Sequence, residues 1–164
     1  YVSTLYLQVC PTRLPSVLGV IDYAGKNVGD CSMGIFETSI VGRICVAGYY
    51  PWSFNENLSK SSQMKSVFRW LSKDNLPGYI SSFHKINLWI REPQNKRVVL
   101  AFTNSSFDVA KDGTLMLKTD NTTIKVYDMN CKETLIKASG ADGPYQKFVI
   151  PYVDPWEVRL IVNE

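Results

Sequence analysis

The stretch that decides the fold is the last one, Gln146 to Val162, which reads QKFVIPYVDPWEVRLIV. It contains two short runs in which apolar residues recur at every second position, the pattern of half-buried β-strands. Pro151 and Pro155 confine the bend between the runs, because proline has no N–H to donate within a sheet. The stretch therefore predicts two strands that close a β-sandwich, with inward sides formed by Phe148, Ile150 and Tyr152, and by Trp156, Val158, Leu160 and Val162.

The segment from Lys85 onward repeats this alternation at five further places, separated by residues that favour turns. Strands at roughly 8–12-residue spacing are typical of an antiparallel sandwich. With the two terminal runs, the pattern predicts about seven strands, and the five others are centred on Ile86/Leu88/Ile90, Val98/Leu100/Phe102, Leu115/Leu117, Ile124/Val126 and Leu135/Ile136.

The first half of the chain has a different pattern. The β-prone runs GIFETSI and RICVAGYY flank Val41-Gly42 and predict a hairpin, in which Gly42 supplies the positive φ that a tight turn needs. Ser61 or Ser62 is predicted to cap a helix over Gln63 to Lys73. Pro77-Gly78 ends this part, and residues 76–83 are interpreted as a linker.

These patterns define the expected fold class as mainly β, or α+β overall. An antiparallel β-sandwich of about seven strands is expected over residues 81–164. A β-hairpin/helix layer over residues 1–80 precedes it.

The composition excludes several classes of function. No apolar run approaches the roughly 20 residues of a membrane-spanning helix. The net charge of +3 is spread along the chain without a basic block, so no nucleic-acid partner is expected. With a single histidine and no CxxC pair, neither a metal site nor a cofactor is predicted, and phosphate-binding glycine loops are absent. Cys10, Cys31, Cys45 and Cys131 are expected to be reduced and buried, with a disulfide framework as the alternative.

The sequence contains no catalytic constellation, so the chain itself is not expected to be an enzyme. His84 has no nucleophile motif beside it and is assigned a surface or interdomain role. Two carboxylates at a suitable separation would suffice for glycoside hydrolysis. Solvated surface acids are the favoured interpretation of the scattered candidates, which are Glu37, Glu92, Glu133, Glu157, Asp108, Asp128, Asp142 and Asp154.

Aromatic residues are the one enrichment that points to binding, with nine Tyr, seven Phe and four Trp. An exposed ring packs on the C–H face of a pyranose while polar neighbours bond its hydroxyls. The candidate carbohydrate-binding residues are Tyr49, Tyr50 and Trp52 in the YYPW run, together with Trp89, whose position alternates away from Ile86, Leu88 and Ile90. The alternative, which is favoured, buries these rings between the two halves of the chain.

The segments GRICVAGYYPW, FRWLSKDNLPGYI, KINLWIRE, RVVLAFTNSSFD and ADGPYQKFVIPYVDPWEVRL together resemble the C-terminal region of bacterial proteins related to β-galactosidases and other glycoside hydrolases. The resemblance implies the end of a glutamine-amidotransferase-like domain, with its last hairpin and helix, followed by a C-terminal β-sandwich. A complete domain of that type would need several βα units before the hairpin, and this chain has too few residues there to form them. The chain is therefore expected to be a fragment, or its first half to form a reduced layer of its own. In such proteins the barrel carries the catalytic carboxylates, and none transfers to this chain.

The expected function is therefore that of a non-catalytic accessory region of a carbohydrate-active protein, with a structural or assembly role. Its expected partners are a second copy of the chain or a catalytic barrel. The alternative is a carbohydrate-binding module that binds an oligosaccharide through exposed aromatic residues. An exported parent would place the chain in the periplasm or outside the cell.

Overall fold

The computed structural model of the protein describes residues 17–21, 27–38, 42–48, 58–91 and 98–163. The chain forms two compact units, residues 1–73 and residues 74–164. The first unit has one described sheet and the second has two, and all strand pairs among the described residues are antiparallel. The described part of the protein is therefore mainly β, as the alternation in the sequence predicts.

Within its described residues, the first unit contains a three-stranded sheet and one helix. Strands β1 (Val17–Ile21), β2 (Asn27–Thr38) and β3 (Gly42–Ala47) lie in the order β1-β2-β3. The predicted hairpin is confirmed, because β2 pairs with β3 and Gly42 has a φ of 88°. Helix α1 (Leu58–Leu71) begins before the predicted caps Ser61 and Ser62, which lie within it. Serine is tolerated inside a helix as well as at its start, so the residue type alone does not fix the boundary.

The second unit is a sandwich of two sheets. The four-stranded sheet has the order β10-β11-β7-β4, and the five-stranded sheet has the order β5-β6-β12-β8-β9. The strands are β4 (Gly78–Ile80), β5 (Ile86–Arg91), β6 (Val99–Asn104), β7 (Ala110–Lys118), β8 (Thr123–Tyr127), β9 (Glu133–Lys137), β10 (Gly140–Asp142), β11 (Tyr145–Val153) and β12 (Val158–Asn163). Two of them, β4 and β10, were not predicted: β4 lies in the stretch interpreted as a linker, and β10 lies among the residues between predicted strands that favour turns.

The core of the sandwich is formed by side chains from both sheets. Phe102 and Leu100 of one sheet lie among Leu115, Leu117 and Phe148 of the other, all of them fully buried. The two sheets approach closely at Gly113 of β7, where an added Cβ would lie 2.9 Å from the Phe102 ring. The predicted antiparallel sandwich is thus confirmed, and a glycine sets its thickness at this point.

The alternation in β11 changes phase near its end. Phe148 and Ile150 are buried as predicted, but Tyr152 is exposed and Val153 takes the buried position. The change occurs opposite Asp112 of β7, which has a φ of 55° and interrupts the regular pleat of the partner strand. Pro151 lies at the same level of the ladder and cannot donate a hydrogen bond there. Tyr152 therefore does not belong to the core.

The inward side of β12 is the opposite of the predicted one. Ile161 and Asn163 are buried, whereas Trp156 is 60% exposed and Leu160 is 49% exposed. Both sides of this strand carry apolar residues, so alternation alone does not distinguish them. The phase is fixed by the side chain of Asn163, which bonds the Val98 N–H and the Thr119 hydroxyl. The predicted core positions of Trp156, Val158 and Leu160 are wrong.

Candidate functional site

Only one of the four predicted aromatic candidates lies within the described residues. Tyr49, Tyr50 and Trp52 fall outside them. Trp89 lies in β5 between Leu88 and Ile90, which pack against the core. Its own ring points to the other side of the sheet and is 73% exposed.

Trp89 belongs to a row of side chains that crosses the outer side of the five-stranded sheet. Trp89 pairs with Ala101, which pairs with Leu160, which in turn pairs with Tyr127. Directly opposite residues have Cβ atoms about 4.5–5.5 Å apart, so the row is continuous. A parallel row runs through Val99 and Val162. We call the apolar members of these rows and the neighbouring Val158 the outer-face patch; its residues are Trp89, Val99, Ala101, Val158, Leu160 and Val162.

Polar groups surround the outer-face patch instead of interrupting it. Asn87 donates a hydrogen bond from Nδ2 to the Ser105 hydroxyl at 2.6 Å, next to Trp89 along β5. At the other side, the Tyr127 hydroxyl donates to Glu133 at 2.7 Å. These groups already have partners on the sheet. The patch itself is therefore a mostly aliphatic surface with a single large aromatic ring.

A second group of exposed rings lies where two loops meet at one end of the sandwich, and its anchor is Asn104. The Asn104 side chain is fully buried and donates from Nδ2 to the carbonyl oxygens of Asp108, Val153 and Asp154 at 2.8 to 3.1 Å. Its Oδ1 accepts from the Ser106 N–H. One side chain thus joins the loop after β6 to the loop after β11.

The loop after β11 contains an unusual turn. The Glu157 N–H donates to the Asp154 carbonyl, Pro155 is the second residue, and Trp156 is the third with a φ of 61°. These are the features of a type II turn, in which the third position normally holds glycine or asparagine. A bulky side chain at positive φ costs about 1–2 kcal/mol. The turn is anchored to the end of β6 by the Trp156 N–H, which donates to the Asn104 carbonyl at 2.9 Å.

The strained Trp156 forms an aromatic pair with Phe107 of the other loop. Their ring centroids are 5.6 Å apart and their planes make an angle of 79°. Phe107 is 85% exposed. An edge-to-face contact of this kind contributes about 0.5–1.5 kcal/mol and leaves other ring faces open to solvent. We call these two residues the aromatic pair; alternation in the sequence did not find it, because neither residue lies in a regular strand.

The carboxylates near this end of the sandwich are occupied by structural contacts. Glu157 accepts from the Asp154 N–H at 2.9 Å and pairs with Arg159 at 3.0 Å. The Tyr152 hydroxyl donates to Asp154, and this hydrogen bond is the main reason that the pKa of Tyr152 is raised. Asp154 and Glu157, both considered as members of a glycosidase pair, thus help to hold the turn of Trp156.

Asp128 also has structural partners. Its carboxylate accepts from the N–H groups of Lys132 and Asn130, and the bond from Lys132 is the main cause of its lowered pKa. Arg159 lies 3.9 Å away and lowers the pKa further. The turn around Asp128 also contains Cys131, which is an exposed free thiol at a φ of 61°. The predicted burial of this cysteine is wrong because it lies at the tip of a turn.

In the first unit, another predicted carboxylate has a structural role. Glu37 forms ion pairs with Lys73 at 3.0 Å and Arg43 at 3.2 Å, and the hydrogen bonds from these two residues lower its pKa. Arg43 also donates to the Trp70 carbonyl at 2.6 Å and lies 5.0 Å from the centre of the Trp70 ring. The cluster attaches the end of α1 to the hairpin. Burial raises the pKa of the free Cys45 thiol in the same hairpin.

His84 has a local role before β5. Its Nδ1 is hydrogen-bonded to the Ser82 hydroxyl at 3.0 Å, and that hydroxyl accepts from the Thr114 N–H at 2.9 Å. The ring thereby supports the turn that connects the two sheets. Within the described ranges, no group of three or more His, Cys, Asp or Glu side chains is arranged to hold a metal ion. Helix α1, which is the helix of these described ranges, is neither long nor apolar enough to cross a membrane.

Comparison of the chain with family models, with curated proteins and with solved structures finds no match.

Proposed function

We propose that the chain is a non-catalytic accessory region of a carbohydrate-active protein and that its sandwich serves in assembly through the outer-face patch. The observation that carries the proposal is the exposure of Trp89 and Leu160 on either side of Ala101, which makes a continuous apolar sheet surface. Scattered single apolar residues are normal on a protein surface, but contiguous patches mark sites of interaction.

The chemistry of the patch favours a protein surface as its partner. Trp89 is followed across the sheet by Ala101 and Leu160, which offer hydrocarbon and no hydrogen-bonding group. Such side chains contribute by burial, at about 1.5–3 kcal/mol for each large one that is fully covered. Aromatic anchors at the centre of a patch typically dominate the binding energy. Trp89 and Leu160 are therefore the expected anchors.

The non-catalytic part of the proposal rests on the partners of the carboxylates. Glu37, Asp128 and Glu157 each have ion pairs or backbone hydrogen bonds that hold local structure. A catalytic acid or base needs a pKa matched to its task and an accessible position next to substrate. The lowered pKa values of Glu37 and Asp128 suit permanent charges in structural contacts.

The resemblance to the C-terminal regions of β-galactosidase relatives supplies the proposed context. In this proposed context, the first unit corresponds to the end of an amidotransferase-like domain. The partner of the sandwich is a second copy of the chain or a catalytic barrel. An exported parent protein would place this assembly in the periplasm or outside the cell.

Light scattering tests the assembly role. The wild-type chain should exceed its monomer mass of 18.6 kDa increasingly as its concentration rises. Trp89→Lys should keep it at the monomer mass, because the charge would have to be buried in the contact. Ala141→Lys is the control, since Ala141 is exposed on β10 in the other sheet of the sandwich, and it should behave as wild type.

A wild-type chain that keeps the monomer mass at every concentration contradicts self-association. The same variants are then mixed with the separately expressed barrel of the parent protein. No change in mass on mixing would contradict the assembly role as a whole. Equal loss of association in Trp89→Lys and Ala141→Lys would place the contact elsewhere.

A further inference from the structure

Trp156 occupies a position at which its side chain has an unfavourable backbone and little burial in return. Its φ of 61° suits glycine, and its ring is 60% exposed. Phe107, its partner in the aromatic pair, is the most exposed large apolar residue of those with described burial. Strained residues persist where the surrounding structure holds them, and they concentrate at binding and catalytic sites. Folding alone does not account for an indole at this position.

The surrounding structure fixes the aromatic pair before any ligand arrives. Asn104 bonds the carbonyls of Asp108 and Asp154, so it joins the loop that carries Phe107 to the loop that carries Trp156. Two backbone hydrogen bonds connect Asn104 with Trp156 and Glu157. A site that is already ordered loses little conformational entropy when it binds. The rings are thus held as a rigid platform at the end of the sandwich.

We propose that the aromatic pair, together with the polar side chains of its two loops, binds a neutral oligosaccharide. Because the rings meet edge to face, faces remain open on which a pyranose ring can pack. The exposed Asp108 lies in the loop that carries Phe107 and can accept hydrogen bonds from sugar hydroxyls. The two loops and the start of β12 contain more negative than positive side chains, and this balance disfavours an anionic ligand. The acidic residues are Asp108, Asp154 and Glu157, and the basic residue is Arg159.

This site goes beyond the proposed assembly role and uses none of the outer-face patch. Trp89 has aliphatic neighbours, whereas the aromatic pair has carboxylates and hydroxyls beside it. The carbohydrate-binding function that the sequence suggests for Trp89 is thereby assigned to Phe107 and Trp156. Binding of sugar and self-association are expected to be independent of each other.

The test uses the full chain on an array of neutral and acidic glycans, followed by calorimetric titration with the neutral oligosaccharide that binds best. Trp156→Gly and Phe107→Ala should each weaken binding at least tenfold. Met129→Ala, an exposed apolar residue of another turn, should bind as wild type. The unfolding temperature of Trp156→Gly should stay within about 4 °C of wild type, which separates loss of binding from loss of fold.

Several outcomes would overturn this inference. They are the absence of any bound glycan on the array, wild-type affinity in both ring variants, and binding of acidic glycans alone. Quenching of the tryptophan fluorescence by tetramethylammonium, lost in the same two variants, would reassign the pair to a cationic ligand. None of these results changes the light-scattering behaviour of Trp89→Lys, so failure here is distinguishable from failure of the assembly role.

Discussion

The side-chain amide of Asn104 lies within hydrogen-bonding distance of the Val153 carbonyl, 3.1 Å away and 49 positions later in the chain. Because the Asn104 side chain has no exposure to solvent, each of its bonds replaces one that water would otherwise make. The end of β6 and the end of β11 are therefore joined by a buried polar group, and the loops that extend from both strands take their positions from it.

We expect Asn104→Ala to lower the free energy of unfolding by about 3 kcal/mol. The substitution leaves the buried Val153 carbonyl and three partly buried backbone groups without their partner, and a buried polar group costs about 1–3 kcal/mol when it is unsatisfied. Urea unfolding measures the change. Asn87→Ala is the control, because its single bond to Ser105 is exposed and its loss should cost less than about 0.5 kcal/mol. Equal effects in the two variants would remove Asn104 from its central role.

We expect Gly113→Ala to destabilise the sandwich by about 1–3 kcal/mol. The new methyl group would lie 2.9 Å from Phe102 Cζ and 3.2 Å from Ile86 Cδ1, so the two sheets would have to move apart. Gly140→Ala is the matched control, since nothing lies within 4 Å of its added Cβ. Thermal unfolding should separate the two variants clearly. A Gly113→Ala protein as stable as wild type would show that the sheets adjust without cost.

At position 156, glycine is expected to be better tolerated than alanine. Both substitutions remove the indole, but only alanine keeps the cost of a Cβ at a φ of 61°, so Trp156→Gly should be more stable than Trp156→Ala by about 1 kcal/mol. At Val158, within β12, the order should be reversed, because glycine weakens a strand. Urea unfolding of the glycine and alanine variants at positions 156 and 158 measures which is the more stable at each position. A large loss of stability in Trp156→Gly would instead support the core position that alternation in the sequence predicts.

The contribution of Asp128 to stability should depend on pH. Its folded pKa is lowered from the ordinary 3.8, mainly by the hydrogen bond from the Lys132 N–H. A group with a lowered folded pKa stabilises the protein fully above its unfolded pKa, and the contribution disappears as the pH falls through the folded pKa.

Asp128→Asn keeps an oxygen acceptor and removes the charge. We therefore expect wild type to unfold at a higher temperature than the variant at pH 6. The difference should begin to shrink as the pH falls past 3.8 and should vanish once the pH is below the lowered folded pKa, where the wild-type carboxylate is protonated. Thermal unfolding between pH 6 and about pH 2 measures this difference. A gap that stays constant over the whole range would mean that the charge of Asp128 is not the cause.

The sequence alone determined where most strands lie and which way many of their side chains point. Alternation over residues 86–90 and 98–102 identified the inward positions of Leu88, Leu100 and Phe102 and the outward position of Trp89, because neighbouring residues of a strand face opposite sides. Gly42 marked the hairpin turn because glycine alone adopts positive φ without cost. These are local properties, so a single sequence contains them.

Only the tertiary structure decided the phase of β12, the outer-face patch and the aromatic pair. The inward side of β12 depends on Asn163, whose amide finds its partners in other strands. Trp89 and Leu160 come to lie on one surface through the register of each with Ala101, and Phe107 meets Trp156 through the buried Asn104. All of these contacts join segments far apart in the chain. Alternation describes one strand at a time, and it contains no information about which strand lies next to it.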